Sequence, residues 1–435
     1  MKFEKICVLG LGYTGLPTAT TFATHGLRVL GVDINPAVIS TLKNGDIHIH
    51  EPGLRSLVQT AMHSGNLTIH DAPEPADAFI IEVPTPFYHD ERGSHEGKPY
   101  RLADMRAVVS ATESIVPHLR KGNLVVLEST SPPRTTVDLL IPILERSGLK
   151  ASIDFYLAYT PERVLPGNIL RELVENDRVI GGIDPASAQA GRALFAIFVR
   201  GEIFLTDATT AEMVKLMENT YRDINVAVAN EFSRLADRFG VDVWDAISLA
   251  NRHPRVKILR PGPGVGGHCV SVDPWFLVEA APDLATLIHT ARMVNDSQPV
   301  FVLESIRKAA GPLAGRRIAV LGLAFKEEVD DLRESPAVEI TQMLVEQGAQ
   351  VKAYEPFKPD AQYEAFETVP ALETALEAAE MLVILVGHSV FKALDPQQVA
   401  RRTPARLVMD TRNVCDPAVW KAAGFRVVRL GAGKK

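Results

Sequence analysis

Lys5-Ile-Cys-Val-Leu-Gly-Leu-Gly-Tyr-Thr-Gly15 is the stretch on which the fold turns. An apolar strand runs straight into Gly10, Gly12 and Gly15, a G-x-G-x-x-G turn that also holds Tyr13 and Thr14. A helical pattern follows from Leu16 to Ala23, then a second strand, Arg28-Val-Leu-Gly-Val-Asp33. Glycines there permit a tight turn and let a pyrophosphate reach a helix N-terminus, whose free N–H groups favour anions. Asp33 ends the second strand, where a carboxylate accepts hydrogen bonds from an adenosine ribose and repels a 2′-phosphate. Strand, turn, helix, strand and terminal acid agree, so the segment predicts NAD binding.

The alternation of strand and helix continues outward. Ala78-Phe-Ile-Ile-Glu-Val-Pro84 and Asn123-Leu-Val-Val-Leu-Glu-Ser-Thr130 read as buried strands. Ligands of open α/β sheets bind beyond the carboxyl ends of strands, which puts Thr85 and Thr130 on the cofactor side. Glu162 follows a further strand in Leu157-Ala-Tyr-Thr-Pro-Glu162-Arg163, a position open to a catalytic carboxylate or a surface charge. The segment from Tyr88 to Lys98, rich in His, Glu and Gly, reads as a mobile surface loop. Thr209-Thr-Ala-Glu212 reads as a capping box opening a helix of about 30 residues that Gly240 closes. Its apolar seam, Met217, Tyr221, Ile224, Val228, Phe232, Leu235 and Phe239, suits an interdomain spine or dimer seam. Lys215 and Asn219 share one face of it. A second α/β run starts at Arg317-Ile-Ala-Val-Leu-Gly322, but Gly322-Leu-Ala-Phe-Lys326 lacks the later glycines, so no second dinucleotide is expected there. The fold class is therefore α/β, with two Rossmann-like doubly wound domains joined by a long central helix in a helical middle domain. The expected boundaries are 1–205 for the NAD-binding domain, 206–310 for the central domain and 311–435 for the C-terminal Rossmann-like domain.

Composition excludes several classes. The 435 residues are 46% hydrophobic and 23% charged, as in a soluble globular protein, with no apolar run able to span a membrane. A net charge of −7 gives no electrostatic footprint for nucleic acid. No signal-peptide pattern opens the chain and the three cysteines are far apart, so a cytoplasmic protein without disulfides is expected. No Cys/His cluster has ligand spacing, so no metal is expected.

Cys7 lies in the first strand and Cys415 has no motif around it, whereas Cys269 sits in Pro261-Gly-Pro-Gly-Val-Gly-Gly-His-Cys-Val-Ser-Val-Asp273. Glycines let the backbone approach a ligand closely, so this thiol is the candidate covalent nucleophile, with Asp273 four residues on. Taken alone, these residues also fit a non-catalytic NAD-binding redox sensor in which Cys269 meets oxidants; substrate-dependent NADH release separates the two.

Taken together the chain resembles the UDP-glucose/GDP-mannose dehydrogenase family over nearly its whole length. The resemblance rests on Gly10-Leu-Gly-Tyr-Thr-Gly-Leu-Pro17, Glu51-Pro-Gly-Leu54, Val83-Pro-Thr-Pro86, Glu128-Ser-Thr130, Pro161-Glu162, Lys215 with Asn219, Gly266-Gly-His-Cys269 with Asp273, and Gly322-Leu-Ala-Phe-Lys326 followed by Asp331-Leu-Arg-Glu-Ser-Pro336. It implies a four-electron oxidation of a sugar C6 alcohol to a carboxylate, with two NAD⁺ used in turn. Cys269 would carry the thiohemiacetal and thioester, Lys215 and Asn219 would stabilise the oxyanion, Asp273 would help remove the alcohol proton, and Glu162 would activate water. The substrate contacts implied are Glu162, Arg163, Lys215, Asn219, Arg222, Arg252, Arg255, Gly266 and Lys326, with Arg333 a nucleotide contact from the last domain. A homodimer is implied, the partner lending an arginine for which Arg255 is the match. Ser271-Val272 stands where UDP-glucose dehydrogenases usually carry Pro-Lys, which points to a 2-acetamido sugar such as UDP-N-acetyl-D-mannosamine. UDP-N-acetylglucosamine, UDP-glucose and GDP-mannose remain alternatives, and polysaccharide biosynthesis is the implied setting.

Overall fold

A computed structural model of the chain describes residues 2–433 except His268. The chain forms two compact units, Met1–Glu218 with Trp275–Ala285, and Asn219–Pro274 with Thr286–Lys435.

The first unit is built on an eight-stranded sheet. In chain order its strands are β1 (Lys5–Leu9), β2 (Arg28–Val32), β3 (Leu67–His70) and β4 (Ala78–Ile81), then, after a two-stranded ribbon of β5 (Phe87–His95) and β6 (Lys98–Ala103), β7 (Leu124–Leu127), β8 (Tyr156–Tyr159), β9 (Arg178–Gly182) and β10 (Ile203–Asp207). They lie in the order β10-β9-β8-β7-β4-β1-β2-β3, all neighbours parallel except β8 and β9. Alternate residues of β1 feed opposite cores: Ile6 and Val8 pack on one face, Cys7 and Leu9 on the other. Burial on both faces explains why these strands read as continuous apolar runs.

The second unit repeats the design with β11 (Arg317–Leu321), β12 (Gln350–Tyr354), β13 (Glu367–Thr368), β14 (Met381–Ile384), β15 (Leu407–Asp410) and β16 (Arg426–Arg429). Their order is β13-β12-β11-β14-β15-β16, all parallel, with Ile318 and Val320 in one core and Ala319 and Leu321 in the other. The two parallel, doubly wound sheets match the fold class read from the sequence.

Two expectations are corrected. The segment from Tyr88 to Lys98 is an antiparallel hairpin, not a mobile loop. Its two-residue turn places Glu96 at φ 48° and Gly97 at φ 76°, the signs a type I′ turn needs. The ribbon is mostly exposed, so it carries no apolar alternation to betray it. Its root is held by the Phe87 ring, 6.3 Å from that of Phe276, and by the Glu279 carboxylate, which accepts from Ala103 N–H at 2.9 Å.

The helix Ala208–Phe239 does not open on a capping box. Asp207 takes that role: its carboxylate accepts from Thr210 N–H at 2.9 Å and from the Thr210 hydroxyl at 2.6 Å. Glu212 is fully buried and accepts instead from Arg134 N–H, Thr136 N–H and the Thr136 hydroxyl, at 2.6, 2.7 and 2.6 Å. A distant loop with three unpaired donors competed for that carboxylate and won. Gly240, at φ 69°, closes the helix. In the second unit Tyr221, Val228, Phe232, Leu235 and Phe239 of its seam are exposed, Tyr221 and Phe239 at 72%.

Candidate active site

The glycine turn of the first unit shows what each glycine is for. Gly10 has φ 95°, and a Cβ there would lie 2.3 Å from the carbonyl oxygen of Glu82. A Cβ on Gly15 would lie 1.9 Å from the carbonyl oxygen of Gly10. Nothing lies within 4 Å of the Cβ that Gly12 lacks. Gly10 and Gly15 are therefore glycines for the protein's own packing, and Gly12 leaves open the space a pyrophosphate needs. The helix Gly15–Thr24 has no side-chain cap, but Leu16 N–H already donates to the Gly12 carbonyl at 3.2 Å and Pro17 has no N–H, so it is the positive end of the helix more than a row of free donors that favours an anion here. Tyr13 is half-buried against the adjoining core.

Asp33 stands where the ribose is expected. Its carboxylate accepts from Leu11 N–H at 3.0 Å and Asn35 N–H at 2.8 Å, which ties it to the turn and leaves each oxygen a lone pair for a ribose hydroxyl. These residues fit NAD, and the carboxylate disfavours a 2′-phosphate. NAD⁺ is accordingly expected to exceed NADP⁺ in kcat/KM by on the order of a hundredfold, and Asp33→Asn to narrow that ratio; steady-state kinetics with both cofactors tests it. Thr85 and Thr130 lie just past the ends of β4 and β7, both partly exposed. The Ser129 hydroxyl accepts from Val83 N–H at 2.9 Å and donates to the Val83 carbonyl at 2.7 Å, which fixes the segment before Thr85.

Along the same carboxyl edge runs a row of charges. Arg178 donates to Glu128 at 2.6 Å and to Glu162 at 2.7 Å, all three nearly buried. The other Glu162 oxygen accepts from the N–H groups of Arg163 and Val164 at 2.5 and 3.0 Å. Lys215 Nζ donates to the Glu162 carbonyl at 2.5 Å, which offsets a cation placed early in its helix. Arg163 pairs with Glu218 at 3.0 Å and donates to the Asp177 carbonyl. Arg178 had no signal in the sequence: a lone arginine opening an apolar strand reads as a surface charge.

In the second unit the cysteine loop lies on the 325–336 segment. A Cβ on Gly266 would lie 2.4 Å from the Glu334 carbonyl oxygen, one on Gly267 would lie 2.8 Å from the Phe325 ring, and Gly267 N–H donates to the Arg333 carbonyl at 3.2 Å. The Cys269 carbonyl accepts from Val272 and Asp273 N–H at 2.9 and 2.8 Å, setting the cysteine one turn before the helix Asp273–Ala280. Asn219 Nδ2 donates to Asp273 at 2.5 Å, both buried. Cys269 is partly exposed, whereas Cys7 and Cys415 are buried; burial pushes the Cys7 thiol up to about 12 and that of Cys415 up as well. A thiol kept protonated is a poor nucleophile, so the two buried cysteines are excluded as the reactive one. Lys326 and Arg333 are exposed on the supporting segment, where Arg333 forks onto Asp331 at 2.7 and 2.9 Å. Arg222, Arg252 and Arg255 are exposed elsewhere in this unit.

The turn after β11 differs from the first. The N–H groups of Leu323 and Ala324 donate to the buried Glu355 carboxylate at 2.7 and 2.9 Å, so donors that would face a phosphate are already taken.

A glycine turn with open space at Gly12, an acid at the ribose position and a half-exposed thiol in a glycine loop define a class: NAD-dependent dehydrogenases. Family models agree along the chain: the UDP-glucose/GDP-mannose dehydrogenase family NAD binding domain matches residues 4–199, its central domain 209–297 and its UDP binding domain 319–417. The UDP-N-acetyl-D-mannosamine dehydrogenase of Methanococcus maripaludis is 46% identical over 435 residues, covering 99% of this chain and 97% of the relative. The NDP-N-acetyl-D-galactosaminuronic acid dehydrogenase of Ralstonia solanacearum is 48% identical, covering 95% and 97%. Among solved structures, the UDP-N-acetyl-mannosamine dehydrogenase of Staphylococcus aureus matches with a TM-score of 0.89 at 42% identity, covering 99% of each chain.

The chain belongs to the UDP-glucose/GDP-mannose dehydrogenase family. It is an NAD-dependent nucleotide-sugar dehydrogenase that takes a UDP-sugar. Among the described residues, no helix is long and apolar enough to cross a membrane.

Proposed function

We propose that this enzyme oxidises C6 of UDP-N-acetyl-D-mannosamine to the uronate through a covalent intermediate on Cys269. The observation that carries the substrate assignment is the full-length match to relatives named for that sugar. Ser271-Val272 in the loop supports a 2-acetamido substrate. NAD⁺ supplies a hydride acceptor, once for the alcohol and once for the thiohemiacetal. Cys269 adds to the aldehyde and retains it, and the resulting thioester loses its sugar to water. Asp273, held by Asn219, accepts the alcohol proton. Lys215 and Asn219 stabilise the developing oxyanion, and Glu162, fixed by Arg178, activates the hydrolytic water. In this reading residues 1–205 bind NAD, 206–310 carry the seam and cysteine loop, and 311–435 bind the nucleotide sugar, with Gly266, Lys326 and Arg333 at its edge.

A panel of nucleotide sugars, with NADH counted per sugar consumed, tests the assignment. Two NADH per UDP-N-acetyl-D-mannosamine is the expected result; one per sugar rejects the four-electron reaction. The Ralstonia relative favours a second reading, a nucleotide-linked N-acetylgalactosamine, which the same panel separates.

We further propose a homodimer through the exposed seam of the long helix, since a face with Tyr221, Phe232 and Phe239 in water calls for a partner. Arg255 is assigned to the substrate site of the partner, with Arg163, Arg222 and Arg252 as further contacts. Arg255→Ala is expected to raise KM for the nucleotide sugar about tenfold or more with NAD⁺ affinity unchanged. A fully active monomer by light scattering rejects the shared site.

A further inference from the structure

Gly262 opens the glycine loop that carries Cys269, and both of its backbone groups are held from outside the loop. Its N–H donates to Asn230 Oδ1 and its carbonyl accepts from Gln298 Nε2, each at 3.0 Å. A Cβ on Gly262 would lie 2.3 Å from the Arg412 guanidinium, so a third group covers its α-carbon. Asn230 and Gln298 are fully buried, and each amide has one orientation only. The Gly262 N–H can only donate, so the Asn230 oxygen faces it and the Asn230 amide donates to Asn295 Oδ1 at 3.0 Å. Asn295 in turn donates to the Asp223 carboxylate at 2.8 Å, and that carboxylate accepts from Arg292 at 2.5 Å. Arg234 likewise can only donate, at 2.8 Å to Gln298 Oε1, which leaves the Gln298 amide for the Gly262 carbonyl. Asn219, Asp223, Asn230 and Ser233 recur at helical spacing on the buried face of the long helix, opposite its exposed seam.

We propose that Asn230 and Gln298 are positioning residues that fix the entry to the cysteine loop and, through it, the place of the Cys269 thiol. The loop needs such an anchor because Gly262, Gly264, Gly266 and Gly267 have no side chains to pin it, and glycine loses the most freedom when a chain is fixed. At the exit Asn219 donates to Asp273 at 2.5 Å; the grip on Gly262 is the matching constraint at the entry. The inference rests on the covalent role proposed for Cys269. In that step the sulfur bonds to the aldehyde carbon and the thiol proton passes to the aldehyde oxygen. A sulfur displaced by about 1 Å would capture the aldehyde far more slowly and let it escape.

Gln298→Glu tests the grip, because the glutamate keeps one oxygen for Arg234 and turns the other against the Gly262 carbonyl. Alkylation of Cys269 by iodoacetamide, mapped to its peptide in the protein without substrate, should rise severalfold as the loop opens more often. With the nucleotide sugar the enzyme oxidises, NADH per sugar should fall from two towards one. Free aldehyde trapped by a hydrazine should rise on the order of tenfold above wild type. That partition is a ratio, so a smaller folded fraction does not move it. Val399→Ala, a cavity in the core on the other face of the second sheet, should leave it unchanged. An unchanged alkylation rate, two NADH without aldehyde from Gln298→Glu, or an equal shift from Val399→Ala would overturn the proposal. Should Gln298→Glu fail to fold, Asn230→Ser, too short to reach both Gly262 and Asn295, is judged by the same readouts. Faster alkylation in a protein whose Cys269→Ser variant still forms two NADH per sugar would sink the covalent role and leave the grip standing.

Discussion

Cys269→Ser is expected to lower net turnover by on the order of a thousandfold or more while leaving NAD⁺ affinity within about twofold of wild type. The thiol lies in a glycine loop of the second unit, and the dinucleotide turn belongs to the first. A serine hydroxyl is close to the thiol in size, so the loop, packed on Phe325 and the Glu334 carbonyl, should keep its course. In the proposed mechanism what is lost is the thiolate that would add to the aldehyde and then serve as a leaving group, a role an alkoxide cannot match at neutral pH. Rapid-quench assays should find at most the first NADH equivalent and free aldehyde. Steady formation of two NADH per sugar near the native rate would remove the covalent mechanism.

Glu162→Gln carries the second large effect, a fall in kcat on the order of a hundred- to ten-thousandfold. Glutamine retains an oxygen that can accept from Arg178 or from the Arg163 and Val164 N–H groups, but it cannot take a proton from water. Both hydrides should still leave, so the acyl group should remain on Cys269. Mass spectrometry of the quenched variant should show the nucleotide-sugar acyl adduct on the Cys269 peptide. A slow variant with no adduct would move Glu162 to an earlier step. Arg178→Lys offers the complementary reading: the guanidinium reaches Glu128 and Glu162 together, whereas one ammonium is a poor substitute for that two-armed bridge. Its kcat should fall with Glu162 still present.

How far these residues could be read in advance depended on how local their signals are. The turn at Gly10–Gly15, the strand to Asp33 and the paired doubly wound sheets rest on short-range patterns, and the structure follows them closely. The hairpin at Phe87–Ala103 failed because an exposed ribbon buries neither face, so its polar run resembles a loop. The capping box failed for another reason: Thr209 and Glu212 have the right spacing, yet spacing cannot reveal that Arg134 and Thr136, some 76 residues away, need the same carboxylate.

Fold class, cofactor and family were legible along the chain, because glycine turns, terminal acids and apolar runs express constraints between residues close in sequence. Tertiary structure alone decided the charge row. Glu82, Glu128, Glu162 and Arg178 lie at the ends of four different strands, and only the order β9-β8-β7-β4 brings them together under one edge. Whether each is charged depends on burial and on the neighbour across the sheet, quantities that no local spacing encodes.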